Sequence, residues 1–218
     1  MSMDRVLVEA CVTTVDEAVA AERAGAGRLE LCVDLHVGGL TPPPELVTEV
    51  KESVAIPVFV MVCVRGEDYV STPAEIDDME RDIARVREAG ADGIVIGSIH
   101  TDGTVQRAET ARLIAAAGGL PVTFHKAFDA TPDAFAALDT LLELGVSRLL
   151  TSGHVERAID GTDELAALIR RAGSRLVVMP GGKVRGDHVH DLVARTGATE
   201  VHARAEGVPG LVNALRGR

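Results

Sequence analysis

The sequence predicts a single (β/α)8 barrel, and three observations point there. Strand-like runs recur eight times, starting roughly 22 to 36 residues apart, the length of a strand, a helix and two loops. Six joints carry a glycine just past a helical pattern and shortly before a strand: Gly25, Gly90, Gly118, Gly145, Gly173 and Gly197. A left-handed residue is wanted at that place. Aromatic residues are scarce, with no Trp, one Tyr and four Phe. The core must therefore be Val, Leu, Ile and Ala, which suits a parallel sheet buried on both faces.

The strand runs fall at 5–10, 28–32, 57–64, 93–98, 121–126, 148–151, 175–179 and 199–203. Between them the helix starts are marked. Thr14-Val-Asp-Glu17 and Thr72-Pro-Ala-Glu75 have capping-box spacing, the second with Pro73 at the first helical position. Thr131-Pro132 repeats the threonine cap and proline start. Inside the next helix Phe135, Leu138, Leu141 and Leu142 follow the 3.6-residue period. The last helix, over 209–216, is short. With 218 residues, no linker and no shift of composition, 1–218 reads as one domain. A doubly wound open sheet is the alternative architecture.

Bulk properties narrow the function. The net charge of −11 speaks against a broad nucleic-acid or anionic-membrane surface, so neither partner is expected. Cys11, Cys32 and Cys63 are isolated and odd in number, which is no disulfide framework and fits a reducing compartment. No basic and then apolar leader opens the chain, and no 18-residue apolar run occurs. The expectation is a soluble, cytoplasmic protein with no nucleotide cofactor.

Parity along the strands sorts the candidate site residues, because barrel strands alternate between the interior and the helix layer. Glu9 and Cys11 share one side of the first strand, and Glu30 and Cys32 one side of the second. Met61, Cys63 and Arg65 do so on the third, Thr123 and His125 on the fifth, Glu200 and His202 on the eighth. Charges facing apolar helices would cost several kcal/mol each, so the inward reading is preferred. The set then converges at the C-terminal mouth, where barrels keep their sites. Such a constellation suits a divalent metal, acid–base work or a polar substrate. Cys11 and Cys32, with Met61 and Cys63 nearby, offer soft ligands to Cu(I).

The stretch Thr123-Phe-His-Lys-Ala-Phe-Asp129 ends a strand in His125, Lys126 and Asp129 and turns towards a helix. The loops add glycine-rich turns. Gly38-Gly39 lets backbone approach a ligand closely. Ser152-Gly153 ends the sixth strand, and Gly181-Gly182 follows the seventh with Lys183 and Arg185 close by, a place for a phosphate or carboxylate. His36, His100, His154, His188 and His190 read as surface residues.

Several of these segments resemble one family. Glu9-Ala-Cys11, Arg28-Leu-Glu-Leu-Cys32, Gly38-Gly-Leu-Thr-Pro42, Thr123-Phe-His-Lys-Ala-Phe-Asp129, Leu150-Thr-Ser-Gly153 and Glu200-Val-His202 are similar to the CutC copper-homeostasis proteins, in order, from about residue 6 to 205. The resemblance implies a TIM barrel, a cytoplasmic location, a homodimer or homotetramer and a copper-linked role. Cys11 and Cys32 fall where the family's candidate copper-binding cysteines lie. Lys126 stands where the family usually has Arg, which argues against an essential Schiff-base lysine. Arg65-Gly-Glu-Asp-Tyr69 keeps the arginine of the segment after the third strand.

Two function classes follow. In the first, Cu(I) binds through Cys11 and Cys32. In the second, the mouth of Glu9, Glu30, Arg65, His125, Asp129, Glu200 and His202 works as a lyase, aldolase or isomerase on a small phosphorylated or acidic sugar. Ser152, Gly153, Gly181, Gly182 and Lys126 would then hold the anion. Lys126 is expected to act as a structural or anion-binding ammonium and not as a covalent nucleophile.

Overall fold

The computed structural model describes residues 6–66 and 68–217. Among them run eight parallel strands: β1 (Leu7–Val12), β2 (Arg28–Leu31), β3 (Val58–Met61), β4 (Gly93–Ile96), β5 (Val122–Phe124), β6 (Arg148–Thr151), β7 (Val177–Pro180) and β8 (Glu200–Arg204). Each leads to a helix: α1 (Val15–Ala24), α2 (Pro44–Ser53), α3 (Pro73–Glu88), α4 (Arg107–Ala116), α5 (Ala134–Leu144), α6 (Thr162–Ala172), α7 (Val189–Thr196) and α8 (Val208–Leu215). The ladder order β7-β6-β5-β4-β3-β2-β1-β8 contains no reversal, so the doubly wound alternative, which needs a switch point, is excluded. β7 and β8 meet at the seam, where a Cβ on Gly181 would lie 3.3 Å from the Cβ of His202. The sheet is a nearly closed (β/α)8 TIM barrel. None of the described helices is long and apolar enough to cross a membrane.

The local signals hold in most places. All six joint glycines have positive φ. Thr72 forms the full capping box, its hydroxyl accepting from the Glu75 amide and the Glu75 carboxylate from the Thr72 amide. Thr14 caps α1, but Glu17 turns to the amide and hydroxyl of Thr13 at 2.7 and 2.9 Å, so only half of that box forms. Thr131-Pro132 does not open α5. Lys126–Ala130 makes a 3-10 turn that Thr131 closes by donating to the Phe128 carbonyl, and Asp133 caps α5 through the amides of Phe135 and Ala136. Asp is at least as good a cap as Thr, and the 3-10 turn has already used the Thr131 hydroxyl. β1 runs two residues later than the sequence suggests, and Arg5 lies outside the described residues.

Strand parity divides the core in two. Val8, Ala10, Val12, Leu29, Leu31, Val58 and Val60 pack against the helices. Cys11, Cys32, Phe59, Met61 and Val95 cluster inside the barrel. Gly93, the register partner of Phe59, makes this possible, because a Cβ there would come within 2.6 Å of the Phe59 ring.

Candidate functional site

The interior is built in tiers. On the lower one Arg28 of β2 is buried between two carboxylates, Glu9 of β1 and Glu200 of β8, and donates to both. Arg148 of β6 reaches Glu200 at 3.0 Å. The guanidinium carbons of Arg28 and Arg148 each lie 5.1 Å from the centroid of the Phe59 ring, a cation–π contact on a desolvated face. Burial works against the Glu9 charge, but His202 and Arg28 beside it prevail and hold its carboxyl at about 2. Glu9 and Glu200 thus sit under the mouth in a paired network. Arg28, Arg148 and Phe59 were not singled out from sequence, although the parity that turns Glu30 inward also turns Arg28 inward.

The upper tier holds Cys11, Glu30, Cys32 and His202. The two sulfurs are 3.7 Å apart, and both thiols are buried. The hydrogen bond to Cys32, burial and the Glu30 carboxylate push the Cys11 thiol far up from its ordinary value. His202 meets Glu9 through Nδ1 at 2.9 Å and Glu30 through Nε2 at 3.9 Å. Burial opposes the imidazolium, but the two carboxylates raise its pKa. Burial, with Glu9 close by, raises Glu30, whose Oε2 is buried without a hydrogen-bond partner among the described residues. Gly38 and Gly39 close over this tier, and a Cβ on Gly39 would lie 3.4 Å from the Cys32 sulfur.

Above it opens a cavity of about 880 Å³ whose walls include Cys11, Glu30, Cys32, His125, Lys126 and His202. His125 is buried, and desolvation lowers its pKa to about 4. Its Nδ1 accepts the Ala127 amide at 3.1 Å, so the neutral ring carries its proton on Nε2. Gly97 leaves the room, since a Cβ there would come within 2.3 Å of that ring. Lys126 reaches the cavity because β5 ends at Phe124, before strand parity could turn it outward. Its ammonium meets Ser152 Oγ at 2.8 Å and Asp129 Oδ2 at 2.9 Å.

Asp129 ties the loops together. It accepts from the Thr151 hydroxyl, the Ser152 hydroxyl and amide, and the His154 amide. Gly153, with φ +75, lies where a Cβ would strike the Gly161 carbonyl at 2.9 Å, so it serves the turn. Gly182 borders the cavity beside Lys183, Arg185 and Arg204.

Arg65 does not join the others. The strand has ended before it, and it turns outward to Glu75 at 2.9 Å and to the Val70 carbonyl. His154 and His188 are not surface residues as expected. His154 is half-buried against Glu164 at 2.6 Å, and His188 is half-buried with Nε2 accepting the Arg185 amide.

A model of the CutC family matches residues 6–207. The chain is 45% identical over 199 residues to the copper homeostasis protein cutC homolog of Mus musculus, covering 91% of this chain and 73% of that one. It is 43% identical over 211 residues to a protein of Caulobacter vibrioides described as family protein CutC, covering 96% and 86%. Its backbone superposes on the crystal structure of a CutC protein from Streptococcus agalactiae with a TM-score of 0.85 at 32% identity, covering 90% of this chain and 97% of the other.

Proposed function

The chain belongs to the CutC family, and on that premise we propose that it serves copper homeostasis by binding Cu(I) through Cys11 and Cys32, in the cytoplasm and as a homo-oligomer. The observation that carries the reading is the pair of sulfurs 3.7 Å apart at the bottom of an open cavity. Two thiolates at that separation can hold one ion with metal–sulfur bonds of about 2.3 Å. Thiolate is the soft donor that selects Cu(I), and Met61 adds a thioether sulfur nearby, whereas the Cys63 thiol donates to the Arg65 carbonyl. The Cys11 thiol, pushed up by its surroundings, is protonated before metal arrives, so uptake releases its proton.

Anaerobic competition against a Cu(I) chelator tests this. The reduced protein should take up one equivalent, and Cys11→Ser with Cys32→Ser should lower the affinity by more than a hundredfold. Equal affinity in both proteins would remove the cysteines from the function.

The family relationship favours this reading over a lyase, aldolase or isomerase. One observation supports a second ligand, a small phosphorylated or carboxylate anion. Lys126, Lys183, Arg185 and Arg204 all border the cavity on the side away from β2 and β3. Arg185 and Arg204 have no ion-pair partner among the described residues. Such a wall attracts an anion into a site that is acidic on its other side.

A further inference from the structure

Next to the thiol pair stands a second donor set that copper(I) chemistry does not call for. A sulfur of Cys11, a carboxylate oxygen of Glu30 and a ring nitrogen of His202 all lie within 4.8 Å of one another. Three separate strands bring them together, β1, β2 and β8. We infer that Cys11, Glu30 and His202 form a site for a divalent ion of the zinc type, which shares Cys11 with the Cu(I) pair and gives way when Cu(I) binds.

Four observations carry this. The donors are thiolate, carboxylate and imidazole, the set that zinc-type ions accept at bonds of about 2.0–2.3 Å, whereas Cu(I) prefers sulfur alone. The histidine is already oriented. Its Nδ1 is held by Glu9 at 2.9 Å, which leaves Nε2 directed at Glu30, the carboxylate–histidine arrangement that positions metal ligands. Glu9 is in turn fixed by Arg28, so the support reaches into the paired lower tier. The third observation is the Glu30 Oε2 atom, which is buried at the same spot with no hydrogen-bond partner among the described residues. A native fold rarely leaves a carboxylate oxygen in that state unless a ligand completes it.

The fourth is access. Cys11, Glu30 and His202 all border the 880 Å³ cavity, so an ion can enter from solvent. Three protein ligands facing a cavity leave a position open for water or for an anion drawn in by Lys126, Arg185 and Arg204. A structural zinc site would be closed by a fourth side chain instead. Cys32 does not close it, since its sulfur lies against Cys11 and outside the mutually close set. The exchange of ions rests on the Cu(I) reading above, but the divalent site itself does not.

Anaerobic titration of the reduced, metal-free protein with Co2+ tests the inference, followed by absorption spectroscopy. The expected result is a thiolate-to-cobalt charge-transfer band that saturates at one equivalent. Cys11→Ser should abolish the band, and Glu30→Gln should weaken Co2+ binding by at least tenfold. Cys63→Ser should leave both as they are, because that thiol donates to the Arg65 carbonyl. Glu9→Gln should cost about 10- to 100-fold, as loss of a histidine-orienting partner does. Far-UV circular dichroism confirms that each variant is folded, and Glu30→Gln still decides the matter if Glu9→Gln does not fold. One equivalent of Cu(I) should bleach the band. No band, or a band with the same affinity in Glu30→Gln, would overturn the site. A band that survives Cu(I) while Cu(I) binds would overturn the sharing of Cys11. Copper binding that ignores both thiols would sink the function proposed above while the cobalt result still judges this one.

Discussion

The two interior tiers share the strands β1, β2 and β8, yet they satisfy their charges differently. On the lower tier the Glu9 and Glu200 carboxylates are both engaged by Arg28, with Arg148 and His202 adding further contacts. One nitrogen there, Arg148 Nη1, lacks a hydrogen-bond partner among the described residues. One step higher, Glu30 has an oxygen with no hydrogen-bond partner among the described residues, and the two thiols face each other at 3.7 Å. A buried charge is tolerable when it is paired, and a buried polar atom left alone costs about 1–3 kcal/mol. The difference separates charges that hold the barrel together from groups kept ready for a ligand.

The largest effect should come from breaking the lower tier. Arg28→Met would leave Glu9 and Glu200 buried around an apolar side chain, and removal of one partner from such a network costs roughly 3–5 kcal/mol. Urea denaturation at neutral pH should show that loss. Glu30→Gln on the upper tier removes a charge that is incompletely paired, so its stability should equal or exceed that of the parent protein. If Arg28→Met costs less than about 1 kcal/mol, or Glu30→Gln costs as much as Arg28→Met, the contrast between the tiers fails.

A second test uses pH and the wall opposite the thiols. Burial lowers His125 from 6.5 to about 4 in the folded protein. The unfolded chain therefore binds this proton first. Stability from the neutral ring is fully present above about 6.5 and is lost as pH falls towards 4, up to roughly 3 kcal/mol. Glu9 also loses stability in acid, but only as pH falls from the ordinary carboxylate range towards about 2. Denaturation midpoints between pH 7 and 4.5 should fall less steeply in His125→Gln than in the parent protein. An identical slope would mean that folding does not lower the pKa of this imidazole.

Much of this architecture is readable from the chain. Eight strand runs, six joint glycines and the parity of Glu9/Cys11 and Glu30/Cys32 all correspond to observed features, because repeat length and alternation are local properties. Arg65 departs from its expected place for a related reason. Strand parity stops at Met61, where β3 ends, and a free chain is no longer bound to alternate. Arg28 is hard to pick from sequence although it shares the parity of Glu30, because a strand's first residue resembles a solvent-facing boundary. Arg148 opens β6 and is hidden in the same way. The sandwich of Phe59 between two guanidiniums needs three strands in register with Gly93, and no local pattern announces a contact of that kind.

The smallest effect concerns Lys126, on the wall away from the metal donors. Its side chain is 38% exposed, and its ammonium pairs with Asp129 at 2.9 Å and Ser152 at 2.8 Å. An ion pair this open contributes about 1 kcal/mol or less, and Asp129 keeps its donors from Thr151, Ser152 and His154 when the lysine is gone. Lys126→Met should therefore fold and melt almost as the parent does. If the basic wall holds an anion, millimolar sugar phosphate should raise the melting temperature of the parent protein and do so clearly less in Lys126→Met. An equal shift in both would take the lysine out of anion binding. The amine is engaged by Asp129 and Ser152, and attack on a carbonyl would have to break both contacts. Borohydride treatment with sugar phosphates or keto acids should accordingly leave the mass of the protein unchanged. A reduced adduct on Lys126 would show that this wall does covalent chemistry, and that the two sides of the mouth divide their work differently from the way their charges suggest.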